Sequence, residues 1–122
     1  MKNNNKRLTT IPTLPNASTT LSAVQQAWDG NQFDGLNALP MAKVDMKWND
    51  SIGVAQIKKC IDRLQIKVEN AITHPVRPEK LDITVILSDP ARPLLEEALK
   101  NAGWHIKAKQ ERPYSITFST EK

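Results

Sequence analysis

The chain has 122 residues, of which 39% are hydrophobic and 25% charged, with 17 Lys and Arg against 13 Asp and Glu for a net charge of +4. That length serves one domain, and a mild positive charge permits contact with nucleic acid or an acidic protein without demanding either. No apolar run approaches the roughly 20 residues of a membrane span, and the single cysteine, Cys60, excludes an internal disulfide and reads as a core residue.

Taken in chain order, residues 1–20 hold Met1, Leu8, Ile11, Leu14 and Ala17 against a background of Asn, Thr, Lys, Ser and Pro. Such a stretch buries too little apolar area to offset the entropy of ordering it, and Pro12 and Pro15 exclude a helix. An extended arm is therefore expected over residues 1–48, preceding a compact domain over 49–122. Within the arm a short helix is expected over 19–28, capped by Thr19 or Thr20, with Leu21, Val24 and Trp28 on one face. Asp29-Gly30 and Asp34-Gly35 mark turns, and Val44, Met46 and Trp48 alternate with polar residues as in a short strand. Large apolar side chains in such weakly structured sequence need a covering surface. Leu14, Leu21, Trp28, Phe33 and Trp48 are accordingly the candidate partner-binding anchors. Folding of the tryptophans back onto the domain is the alternative.

The strongest element is a helix from about Ser51 to Thr73. Asn49, Asp50 and Ser51 are its N-cap candidates, and Ile57, Cys60, Ile61, Leu64, Val68, Ala71 and Ile72 form one apolar stripe. Ile66 stands alone on the opposite side. His74-Pro75 ends the helix. Leu81–Ser88 reads as a strand with Leu81, Ile83, Val85 and Leu87 on one face. A second helix starts at Asp89-Pro90 or at Arg92-Pro93, continues through Leu94, Leu95, Ala98, Leu99 and Ala102, and stops at Gly103. A hairpin follows, with Trp104, Ile106 and Ala108 on one strand and Tyr114, Ile116 and Phe118 on the other. The fold class predicted is α+β, in the order α-β-α-β-β, with two helices on one side of a small sheet.

Chemistry finds little support. His74 and His105 have no partner implied by spacing, no Cys-x-x-Cys or helical ligand pair occurs, and Gly30, Gly35, Gly53 and Gly103 make no phosphate-binding loop. Glu96 and Glu97 are adjacent and read as solvated charges at a helix start. No catalytic residue, cofactor, metal or small-molecule substrate is therefore expected. The basic residues offer candidate phosphate contacts: Lys59, Arg63 and Lys67 at spacings of four, and Lys107, Lys109 and Arg112 on the hairpin and its turn. They act together if both groups share a face. Otherwise they are an ordinary solvated surface.

Two resemblances bear on function. The run from Leu94-Leu95 to Ala102-Gly103-Trp104 plus a hairpin looks like small toxin ribonucleases with a double-stranded-RNA-binding-like fold. Those carry a histidine after Gly-Ser in the second strand, and the matching stretch Pro113-Tyr114-Ser115-Ile116 has none, so no nuclease is implied. The pattern over about residues 52–120, a helix ending in Ala102-Gly103-Trp104, a basic strand, a short turn and a Ser/Thr-rich strand, resembles small proteins of tailed bacteriophages. That resemblance implies a non-enzymatic virion or assembly protein, such as a capsid decoration or head–tail component. It would be made in the host cytoplasm and dock onto other protein subunits through its arm. A small nucleic-acid-binding accessory protein and an inhibitor of a host protein are the alternatives.

Overall fold

The structure, a computed structural model, describes residues 8–47, 51–87 and 92–121. Among them the chain is α+β, with three α-helices and two sheets. The N-terminal part forms a strand β1 (Leu8–Pro15), a helix α1 (Ala17–Trp28), a single 3-10 turn (Leu36–Ala38) and a strand β2 (Met41–Lys47). The rest forms α2 (Ser51–Ile72), β3 (Asp82–Leu87), α3 (Arg92–Asn101), β4 (His105–Gln110) and β5 (Tyr114–Ser119). The expected α-β-α-β-β order describes this second part.

α2 forms where its apolar stripe recurs every three to four residues, and Ile57, Cys60, Leu64 and Val68 are buried along it. α3 buries Leu95, Ala98, Leu99 and Ala102. It ends as its sequence predicts: Gly103 takes a φ of +82°, and the amides of Gly103 and Trp104 donate to the carbonyls of Lys100 and Leu99. The three-stranded sheet has the order β3-β5-β4, with both pairings antiparallel, so β3 and β4 run parallel on either side of β5. Ile83, Val85 and Leu87 pair with Phe118, Ile116 and Tyr114 on the face turned to the helices. Trp104 packs edge-on against Phe118, ring centroids 5.2 Å apart. Leu64 of the α2 stripe and Ile83 of the β3 inner face are both buried where this helix packs on the sheet.

The expected arm takes a different form over 8–47. β1 pairs antiparallel with β2, Leu8 opposite Lys47 and Ile11 opposite Val44. Proline is tolerated in β1 because a strand of a two-stranded ribbon needs its amides on one side only, and the register shifts between Pro12 and Pro15. The ribbon rests on α3 and touches α2, while α1 packs on α2. Leu14, Ala17, Val24, Leu36 and Val44 join the same core as the helices and the larger sheet. Trp104 rivets the two parts, its indole Nε1 donating to the Pro15 carbonyl at 3.0 Å, and the Ala17 amide donates to the Ala102 carbonyl at 2.8 Å. α1 starts two residues earlier than expected. Asn16 occupies its N-cap position, and Thr20 lies inside the first turn with its hydroxyl donating to the Asn16 carbonyl. The cap candidates Asn49 and Asp50, the Asp89-Pro90 helix start and the anchor Trp48 lie outside the described residues.

Candidate functional site

Two surface depressions border α2. The larger, about 630 Å³, lies between the C-terminal half of α2, residues 74–80 and the end of the chain. Lys67, His74, Arg77, Lys80 and Glu121 contribute to its wall. Its charges are largely committed. Arg77 makes a two-pronged pair with Asp29, both contacts at 3.0 Å, which holds the Asp29 carboxyl below its ordinary value and the guanidinium above its own. Glu121 accepts from Lys107 at 2.7 Å and Lys80 at 3.4 Å, and its carboxyl is held low chiefly by Lys107. His74 Nδ1 accepts the Val76 amide at 3.1 Å within its own turn. Trp28 Nε1 donates to the His74 carbonyl at 2.7 Å, and the Gln25 side chain donates to the Pro78 carbonyl at 2.9 Å. This region is a mixed-charge buttress pinning the link from α2 to β3.

The second depression, about 460 Å³, runs between α2 and β3. Lys59, Asp62 and Arg63 line one side, one helical turn apart, and Thr84, Val85 and Ile86 line the other. The side chain of Ile86 is 64% exposed although it sits in a strand. Ile66 follows Asp62 and Arg63 by one turn of α2 and is itself exposed. β3 is an edge strand, so on this side alternate main-chain N–H and C=O groups have no strand partner among the described residues. Lys59 and Arg63 carry no ion pair among the described residues.

The sequence-derived anchors do not converge on one surface. Leu14 is fully buried, so it is a core residue and cannot dock a partner in this fold. Leu21 and Phe33 are half-buried against the core, and Trp28 is half-buried and hydrogen-bonded to the α2–β3 link. Nor do the six candidate phosphate contacts form one patch. Lys59 and Arg63 flank the β3 edge, while Lys67 belongs to the larger depression. Lys107 and Lys109 sit on β4 at the other edge, neutralised by Glu121 and by Glu96 at 3.2 Å. Arg112 is exposed at the β4–β5 turn, with a φ of 58°. Glu96 differs from the solvated charge expected: it is half-buried and also accepts the Tyr114 hydroxyl at 2.9 Å, tying α3 to β5.

The alternation of β3 shows which face is buried but not which strand ends a sheet, so the sequence alone does not single out Ile86 or the β3 edge. Cys60 is buried, and burial pushes its thiol up to about 12, which leaves it protonated and unreactive near neutrality. Among the described residues no cluster of His, Cys, Asp and Glu could hold a metal, and no helix is long and apolar enough to cross a membrane. No protein-family model matches the chain, and comparison with curated proteins and with solved structures returns no match.

Proposed function

We propose that this protein is a non-catalytic interaction subunit that docks onto another protein through the α2–β3 side of its body. The carrying observation is the groove where Lys59 and Arg63 of α2 lie beside the unpaired edge of β3, with the exposed Ile86 on the outer face of the same strand. An exposed apolar side chain beside open main-chain hydrogen-bonding groups is a surface that association would cover. This retains the assembly role implied by the resemblance to small phage proteins, with a virion or an assembly intermediate as the setting. It moves the docking surface from the N-terminal segment to the body, because Leu14 and Trp28 are engaged within the fold. Nucleic-acid binding is the weaker reading, since Lys107 and Lys109 are neutralised and stand at the edge away from Lys59 and Arg63.

The test is site-specific photo-crosslinking in the cells that produce the protein. A photoreactive amino acid in place of Ile86 should give a discrete protein adduct, and one in place of the exposed Glu97 on α3 should not. Adducts with nucleic acid at position 86, or identical patterns at both positions, would overturn the reading.

A further inference from the structure

We infer that the β3 edge accepts an extended, acidic segment of a partner protein as an added strand. This rests on the docking reading above and names its occupant. Three observations converge on it.

The first is the contrast between the sheet's two free edges. The β4 edge carries Lys107 and Lys109 and is broken by a register shift between Ile106 and Ala108. Lysines and bulges are the devices by which proteins blunt an edge against pairing. The β3 edge has neither. Its pairing with β5 is regular over all six residues from Asp82 to Leu87, and the strand holds no Lys, Pro or Gly. A further strand can continue that register, since six residues extend over roughly 20 Å.

The second is the side-chain environment. A strand added beside β3 sends alternate side chains to opposite faces. On the outer face they would meet Thr84 and Ile86, which are exposed and offer a hydroxyl and an aliphatic surface. On the other they would meet the α2 wall of Lys59, Asp62 and Arg63. An alternating segment of β-branched and acidic residues matches both.

The third is charge. Lys59 and Arg63 outnumber Asp62 in the groove and have no carboxylate partner among the described residues. Arg77, Lys80, Lys107 and Lys109 each hold one, while Lys43, Lys58, Lys67, Lys100 and Arg112 share the lack of one among the described residues, so it is their place beside an open strand edge that sets Lys59 and Arg63 apart. A carboxylate-bearing strand supplies what the groove lacks, and an acidic segment is favoured over a basic or neutral one by complementarity. The main chain of β3 would supply affinity and the groove side chains selectivity, as in other strand-addition sites.

The experiment titrates the full-length protein with a fluorescent eight-residue peptide alternating Val or Thr with Asp or Glu, read by anisotropy. Two controls accompany it: the same peptide N-methylated at alternate amides, and a version with Lys in place of each acid. The acidic peptide should bind, and both controls should bind at least about tenfold more weakly. The double variant Lys59→Glu/Arg63→Glu should lose binding by a similar factor, with folding checked by circular dichroism. Ile86→Lys, at an exposed position, provides a second variant with the same expected loss. Equal binding of the N-methylated peptide would overturn strand addition, and equal binding of the Lys peptide would overturn the acidic assignment. A wild-type chain that sediments as a dimer and becomes a monomer on Ile86→Lys would also overturn it, because a second copy then fills the edge. A discrete photo-adduct at position 86 with no peptide binding would sink this inference and leave the docking reading standing. Loss of both signals removes both.

Discussion

β4 meets its surroundings with two lysines and a register shift, whereas β3, at the other edge of the same sheet, runs unbroken from Asp82 to Leu87 and exposes Ile86. Both strands share one neighbour, β5, and both lie over the same helical layer. β3 buries Ile83, Val85 and Leu87 against that layer, whereas no residue of β4 is fully buried. The two edges differ further in residues that packing leaves undetermined. At β4 those residues discourage pairing, and Lys107 and Lys109 are bound to Glu121 and Glu96. At β3 they leave open main chain, an exposed isoleucine and two cations with no ion pair among the described residues.

The largest perturbation removes the shared support and should abolish the distinction. Phe118→Ala, beneath both edges and against Trp104, should destabilise the fold by about 3–5 kcal/mol in denaturant titration. Leu64→Ala, on the helix backing β3, should cost about 2–5 kcal/mol. A loss below about 0.5 kcal/mol, the range of ordinary surface substitutions, would mean that the core lies elsewhere. Cys60 reports the same opening without a core deletion. Buried, with its thiol pushed up to about 12, it should resist thiol reagents at neutral pH until the chain unfolds. Rapid labelling of the native protein would contradict a closed α2 face.

Ile86→Lys sharpens the comparison by giving β3 the defence that β4 has. Its stability effect should stay within about 0.5 kcal/mol because the site is exposed, while acidic-peptide binding should fall at least about tenfold. Lys109→Ala weakens the defence of β4. Its pair with Glu96 is half-exposed, so the cost should be at most about 1 kcal/mol, and peptide binding at β3 should not change.

The smallest effect is electrostatic. Glu121 is held below the ordinary carboxylate value, first by Lys107 and then by Lys80. Its contribution to stability is therefore present at neutral pH and lost as pH falls through its folded-state value, because the unfolded chain takes up the proton first. Lys107, whose ammonium is held high by Glu121, also contributes at neutral pH but loses that contribution at the other limb, as pH rises through its own folded-state value. Lys107→Ala should flatten both limbs of a stability–pH profile slightly. An unchanged profile would mean that the pair is not populated in solution.

How far the sequence reveals this molecule depends on how local the signals are. α2 and α3 were legible because their apolar stripes and the stop at Gly103 lie within or beside single elements. The β4–β5 hairpin was legible because its partners are neighbours in sequence. β1 was not: Pro12 and Pro15 correctly forbade a helix and favoured extended chain, but the partner that makes it a strand is β2, some thirty residues on, as in the Ile11–Val44 pair. No local pattern announces such a pairing, so Leu14 was read as an anchor for another protein and is instead a core residue. The same limit applies to the groove. Lys59, Arg63 and Ile66 stood out individually on α2, but their relation to Ile86 depends on which strand ends the sheet, and that follows only from the order β3-β5-β4.

Residue-resolved amide hydrogen exchange, with and without the acidic probe peptide, tests the unequal edges most directly. In the free protein the outward amides of β3 should exchange faster than their β5-bonded neighbours. On addition of the peptide the outward amides within Asp82–Leu87 should slow, and those of His105–Gln110 on β4 should not change. Slowing at β4, or at neither edge while the peptide is bound, would contradict the assignment of β3 as the docking edge.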